Sequence, residues 1–340
     1  MLKYTNGGGI IQGNISAIRA IAMILIIVCH FLQYYENELC RWLNVGVQIF
    51  FIISGYLYGK KSIEDPIRFI YKVFKKILVP YYLFLIIALI LYSIFYREYL
   101  TPQSIYKVFF CAGVIKGLGH LWFIGYILFC YLITPYLTWV RQKIHAYSLV
   151  MSLSIVTLLV ISVNIISYAF ESYFHPDRIS CYIIGFFIPI ISEKAGMSIK
   201  RTIIRWISVI AITMNMLRVY VKYIQPDILS KNLVSAIVIY AHLLLGVALF
   251  ITLFYLLKKV PFSKLLLWSD KYSYTIYIVH LLFILSPFTL MAFTSLPILN
   301  IVLALSATFV SAMILHKLSS QISQLKVQTS SHLRSLVKTR

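Results

Sequence analysis

Apolar residues run along this chain in long blocks broken by short polar stretches. A membrane-spanning helix needs roughly 20 mostly apolar residues, with about 17 to 25 as the working range. By that measure the pattern predicts ten spans, at about 15–34, 44–59, 79–96, 121–139, 148–169, 179–192, 203–221, 233–257, 273–293 and 297–316. The stretch 104–118 is apolar but short, and Gly113, Gly117 and Gly119 interrupt it, so it reads as a loop or interfacial segment. The expected fold is an all-α integral membrane protein with about ten transmembrane helices in one bundle over residues 1–318. Residues 319–340 then form a short basic cytoplasmic tail.

Composition agrees with that pattern. Hydrophobic residues make up 61% of the chain and charged residues only 12%, where a soluble domain averages about 25% charged. The first apolar block has no small-residue cleavage site after it and is read as a retained span rather than a signal peptide. Lysine and arginine test the count. With the N-terminus placed in the cytoplasm, 23 of the 31 cations fall on the cytoplasmic side and eight outside. This positive-inside bias predicts a multi-pass protein of the plasma (inner) membrane with both termini cytoplasmic. The net charge of +21 is then explained by loops facing anionic lipid and calls for no nucleic acid. One cytoplasmic loop, Lys60 to Lys76, carries six cations against Glu64 and Asp65. Topology and membrane lipid account for part of that density. Docking of a phosphorylated cytosolic donor accounts for it more sharply. The five cysteines show no CxxC or zinc spacing, and no metal site or bound cofactor is expected.

Against this apolar background, ionisable residues within spans stand out. Arg19 opens the first span and His30 follows eleven residues later. Eleven steps of about 100° come within about 20° of three full turns, so the two share one helix face about 16 Å apart. An ionisable group inside a span is by default a functional-site candidate. A neutral imidazole at His30 can take a proton from an attacking hydroxyl, and Arg19 can hold an anionic group. Ser54 and Gly55 lie late in the second span, where Gly permits close approach and Ser bonds across helices. His120 and Trp122 open the fourth span at its outer end, and His280 lies in the ninth.

These stretches together resemble the membrane-bound acyltransferase 3 family, of the polysaccharide O-acyltransferase type. The resemblance rests on Ile18-Arg19-Ala20-Ile21-Ala22 running to His30, and on Gly46-Val47 to Phe50-Phe51-Ile52-Ile53-Ser54-Gly55-Tyr56. It continues through Lys72-Val73-Phe74-Lys75-Lys76 with Pro80-Tyr81, His120-Leu121-Trp122-Phe123 to Pro135, Tyr182 to Gly185, and Ser273-Tyr274 to Tyr277 with His280. It departs where the family often has an acid before the arginine and this chain has Ser16, and where lysines replace arginines in the basic motif. The resemblance implies transfer of an acyl group other than aminoacyl, usually acetyl, from acyl-CoA to a hydroxyl of a cell-surface polysaccharide or its lipid-linked precursor. His30 and Arg19 would be catalytic. Lys72, Lys75, Lys76, Ser54 and Gly55 would bind the donor, and His120, Trp122 and His280 would lie toward the carbohydrate or lipid-linked glycan. Export of a polysaccharide intermediate is the competing reading, and a structural subunit of a glycan assembly complex is a third. No repeated halves of the kind transporters often show are evident.

Overall fold

The structure, a computed structural model, describes residues 6–169, 175–225, 228–258 and 263–338, with side chains for 13–168, 175–225, 228–258, 263–266 and 268–324. Lys3, Lys259 and Arg340, among the cations assigned above, lie outside the described residues, as do residues 339–340 of the expected tail. Among the described residues all regular structure is helical. The helices are α1 (Asn6–Tyr34), α2 (Cys40–Leu43), α3 (Gly46–Gly59), α4 (Pro66–Phe95), α5 (Pro102–Phe109), α6 (Trp122–Ile144), α7 (Leu149–Ala169), α8 (Pro176–Lys194), α9 (Met197–Val219), α10 (Lys231–Leu256), α11 (Lys264–Ile284) and α12 (Pro297–Lys338). Among the described residues, eight helical stretches are long and apolar enough to cross a membrane: Gly13–Tyr34, Cys40–Gly59, Pro66–Phe95, Gly119–Ile144, Leu149–Tyr168, Met197–Ile224, Lys231–Leu256 and Pro297–Gln324. The more charged helices α8 and α11 fill the two remaining expected positions. The fold is that of an all-α membrane protein.

Boundaries differ from expectation where end signals outweigh hydropathy. Helix α4 starts at Pro66, not near 79. Asp65 caps it by accepting from the Arg68 amide at 2.9 Å, and Pro66 occupies the first turn. Lys72, Lys75 and Lys76 therefore sit on a helix rather than in a loop. Helix α11 spans Lys264–Ile284 rather than 273–293. Pro287 disfavours helical backbone at Ser286, and the chain turns there, with the Leu290 amide bonded to the Phe283 carbonyl at 2.9 Å. The segment expected to be a loop holds the short helix α5, closed by a capping box between Thr101 and Ser104. Helix α12 continues unbroken from the last span through the expected tail to Lys338.

The chain divides into two compact units. The first comprises Met1–Leu32, Asn37–Glu64 and Cys130–Asp270; the second comprises Gln33–Glu36, Asp65–Phe129 and Lys271–Arg340. In the first, α3 packs on α8 closely enough that backbones touch. A methyl at Gly55 would overlap the Tyr182 carbonyl and lie 2.7 Å from the Phe186 amide nitrogen, and one at Gly185 would lie 2.8 Å from the Ile52 Cα. Gly55 and Gly59 form the small-xxx-small spacing that permits such contact. Helix α7 packs on α8, and α9 on α10. At one end of this unit, Arg141 donates to the carbonyls of Gly59 and Lys61, the latter at 2.8 Å. Lys194 donates to those of Ile144 at 2.7 Å, His145 and Tyr147. Cations thus close the carbonyl ends of α3 and α6. The charge pattern assigns all these residues to one side, and the contacts bring them to one end. In the second unit α4 packs on α12, and the Tyr274 hydroxyl bonds the Ile77 carbonyl at 2.8 Å.

Candidate active site

Helix α1 turns its Arg19–His30 face inward. Between them Ala22, Met23, Ile26 and Ile27 are all buried, while Ile24 and Val28 on the opposite side are exposed. Arg19 forms an ion pair with Asp270 of α11 through Nη1 and Oδ1, and the Ser16 hydroxyl donates to the other carboxylate oxygen. Ser16 is fully buried, whereas the Arg19 and Asp270 side chains keep 19% and 22% of their surface accessible. One carboxylate therefore binds two residues a turn apart on α1. The sequence lacks an acid at position 16; the structure supplies one from α11, held by the serine that stands there.

Tyr131 of α6 lies close to both Arg19 and Ser54. The Tyr131 ring meets that of Tyr58 edge-on at 5.0 Å. Arg19, Ser16, Asp270, Tyr131, Ser54 and Tyr58 thus form one polar cluster inside the first unit. His30 belongs to the same unit and is half-buried on the same α1 face. Gly55, next to Ser54, faces the α8 backbone instead, and its small size serves helix packing.

A second buried polar cluster occupies the opposite end of the first unit, near Arg41 and Asp177. Gln48 donates to the Asp177 carboxylate at 3.1 Å. Arg218, 2% exposed, bonds His242 Nδ1 and the Arg41 carbonyl, each at 3.2 Å, and stacks 4.4 Å over the Trp42 ring. Sequence reading singles out neither Arg218 nor Asp177. An arginine and an aspartate within or beside expected spans were the available signal.

The remaining expected residues lie in the second unit. It brings two of them together. The His120 and His280 rings are 5.0 Å apart, and both are buried. His120 Nε2 donates to the Ile278 carbonyl at 2.8 Å, His280 Nδ1 to the Tyr277 carbonyl at 2.7 Å, and the Tyr277 hydroxyl to the His120 carbonyl at 2.8 Å. Carbonyls accept only, so these bonds fix one protonated nitrogen on each imidazole. Trp122 stacks edge-on with Tyr126 at 5.6 Å. Lys72 and Lys76 are exposed one turn apart on α4, and Lys75 donates to the Ser323 carbonyl of α12 at 3.4 Å. No group of three or more metal-ligating side chains occurs among the described residues.

A multi-span helical scaffold with an arginine–carboxylate pair and a histidine on the interior face of its first helix defines a class of integral membrane proteins with polar chemistry inside the bundle. The family model for an acyltransferase domain, acyltransferase 3, matches residues 12–317. The chain belongs to this acyltransferase family. No curated protein and no solved structure matches it.

Proposed function

We propose that this acyltransferase moves an acyl group, acetyl by preference, from acyl-CoA to a hydroxyl of a cell-surface polysaccharide or its lipid-linked precursor. The observation that carries the reading is the interior face of α1. It holds His30 half-buried, and about 16 Å away a guanidinium fixed by Asp270. His30 acts as general base. Its imidazole takes the proton of the acceptor hydroxyl as the oxygen attacks the thioester carbonyl, and the CoA thiolate leaves. Arg19, held by Asp270 and Ser16, steadies an anionic part of the donor, and Ser54 with Tyr131 lines the same cluster. Lys72, Lys75 and Lys76 receive the donor's phosphates as point charges at the start of α4. Their side faces the cytosol of a cell whose inner membrane holds the protein, while His120, Trp122 and His280 belong to the part nearer the acceptor. Transfer of radiolabel from acetyl-CoA to polysaccharide in membranes with and without this protein tests the reading. Label that appears only with the protein supports it, and equal label in both sinks it.

A further inference from the structure

Helix α3 has two working faces. Ser54 and Tyr58 point toward Tyr131, whereas Tyr56 and Lys60, about 200° around the helix, line a separate cavity of about 430 Å³ in the first unit. Its walls are apolar, formed by residues such as Ile188 of α8, Ile204 and Ile207 of α9, and Phe250 and Phe254 of α10. It runs between the α7–α8 and α9–α10 pairs. Helices α7 and α9 flank it and bury only 11% and 17% of their most apolar windows, so both present their outer surfaces to lipid.

Three observations define the ligand chemistry of this cavity. Its charged lining at the Lys60 end carries Lys60 and Lys200 against the single carboxylate of Glu193, which leaves a net positive charge. Tyr56 is 5% exposed, lines the cavity, and has no hydrogen bond from its hydroxyl among the described residues. The Lys60 ammonium stands 4.4 Å over the Tyr56 ring, so cation and unused donor lie side by side. The volume falls within the range of about 300–1,000 Å³ typical of ligand pockets.

We propose that this cavity is a binding site for one anionic glycerophospholipid of the leaflet at the Lys60 end of α3. A fatty chain fills the apolar slot, the phosphate lies between Lys60 and Lys200, and the Tyr56 hydroxyl donates to an ester carbonyl. The charge excess selects an anionic headgroup, and the apolar walls flanked by lipid-facing α7 and α9 select a bilayer ligand over a soluble one.

Native mass spectrometry of the full-length protein, carried from nanodiscs of equal parts phosphatidylglycerol and phosphatidylcholine, tests the site. One phosphatidylglycerol should stay bound at energies that strip the other lipids. A lysine near an anionic surface is worth about 1 kcal/mol, so Lys60→Gln and Lys200→Gln should each lower its retention about fivefold. Tyr56→Phe should weaken retention, and Ile207→Trp, which fills the slot, should abolish it. Lys231→Gln, at the start of α10 outside the cavity, should change nothing. Thermal melting of each variant identifies any that fail to fold, and the single lysine variants, at the cavity's charged end, are the arm least exposed to that failure. Equal retention of the two lipids by the wild-type protein overturns the proposal. So does retention indifferent to the folded lysine variants, or preferential retention of added palmitoyl-CoA, which would assign the slot to a donor chain.

Discussion

The ion pair between Arg19 and Asp270 gives the account a measurable core. Asp270→Asn keeps size and shape, and the amide oxygen still accepts from Ser16, but the charge facing Arg19 disappears. Removing one partner of a buried pair costs about 3–5 kcal/mol. Here each side chain keeps about a fifth of its surface accessible, at 19% and 22%, so water screens part of the charge and the lower bound applies. About 3 kcal/mol corresponds to roughly a hundredfold. If Asp270 works by holding Arg19 in place, that free energy sets the ceiling for the cost of misplacing Arg19, and transfer from acetyl-CoA in membranes should fall by up to about that factor. The Arg19→Gln/Asp270→Asn double variant should then be no worse than Arg19→Gln alone, because residues acting as a unit are not additive. Protein abundance and melting temperature, measured beside the rate, separate lost function from lost folding. Wild-type rates for Asp270→Asn, or losses that multiply in the double variant, would refute the reasoning.

Three further outcomes follow. Gly55→Ala forces a methyl against the α8 backbone and should destabilise the protein by about 1–3 kcal/mol, read as a lower melting temperature; an unchanged one would show that α3 and α8 can separate freely. Replacing Lys72, Lys75 and Lys76 with Gln should raise the KM for acyl-CoA with kcat nearly unchanged, and unaltered donor kinetics at normal abundance would return these lysines to topology and lipid contact. Reporter fusions at residues 60–65 should read cytoplasmic and those at 36–41 external, and the reverse would overturn the orientation drawn from the positive-inside bias.

How much of this was legible in the sequence depends on which signal each element carries. The interior face of α1 was readable because Arg19 and His30 are the only basic residues in that apolar block, which holds no acid, and their spacing closes three turns. Asp270 was not, because charges at 270 and 271 look like the end of a span, and the hydropathy pattern therefore places the ninth span from 273. The helix in fact begins at Lys264, and the carboxylate is stabilised by Arg19 and Ser16, which no local window reveals. Helix α4 was cut short for a related reason. Its first turns are basic and exposed, so hydropathy ignores them, although Asp65-Pro66 is a helix-start signal. Gly55 admits close approach of either a ligand or another backbone, and only the packed structure shows the α8 backbone there. The pairing of His120 with His280 joins residues 160 positions apart and is likewise a product of tertiary contact.

The central claim is that the imidazole on the interior face of α1 takes the proton of a carbohydrate hydroxyl. Its most direct test is radiolabelled acetyl transfer from acetyl-CoA to polysaccharide, in membranes holding equal amounts of wild-type protein and His30→Ala. The account expects label with the wild type and a loss of about 10²- to 10⁴-fold with the variant. Full label with His30→Ala would make the histidine structural and contradict the mechanism.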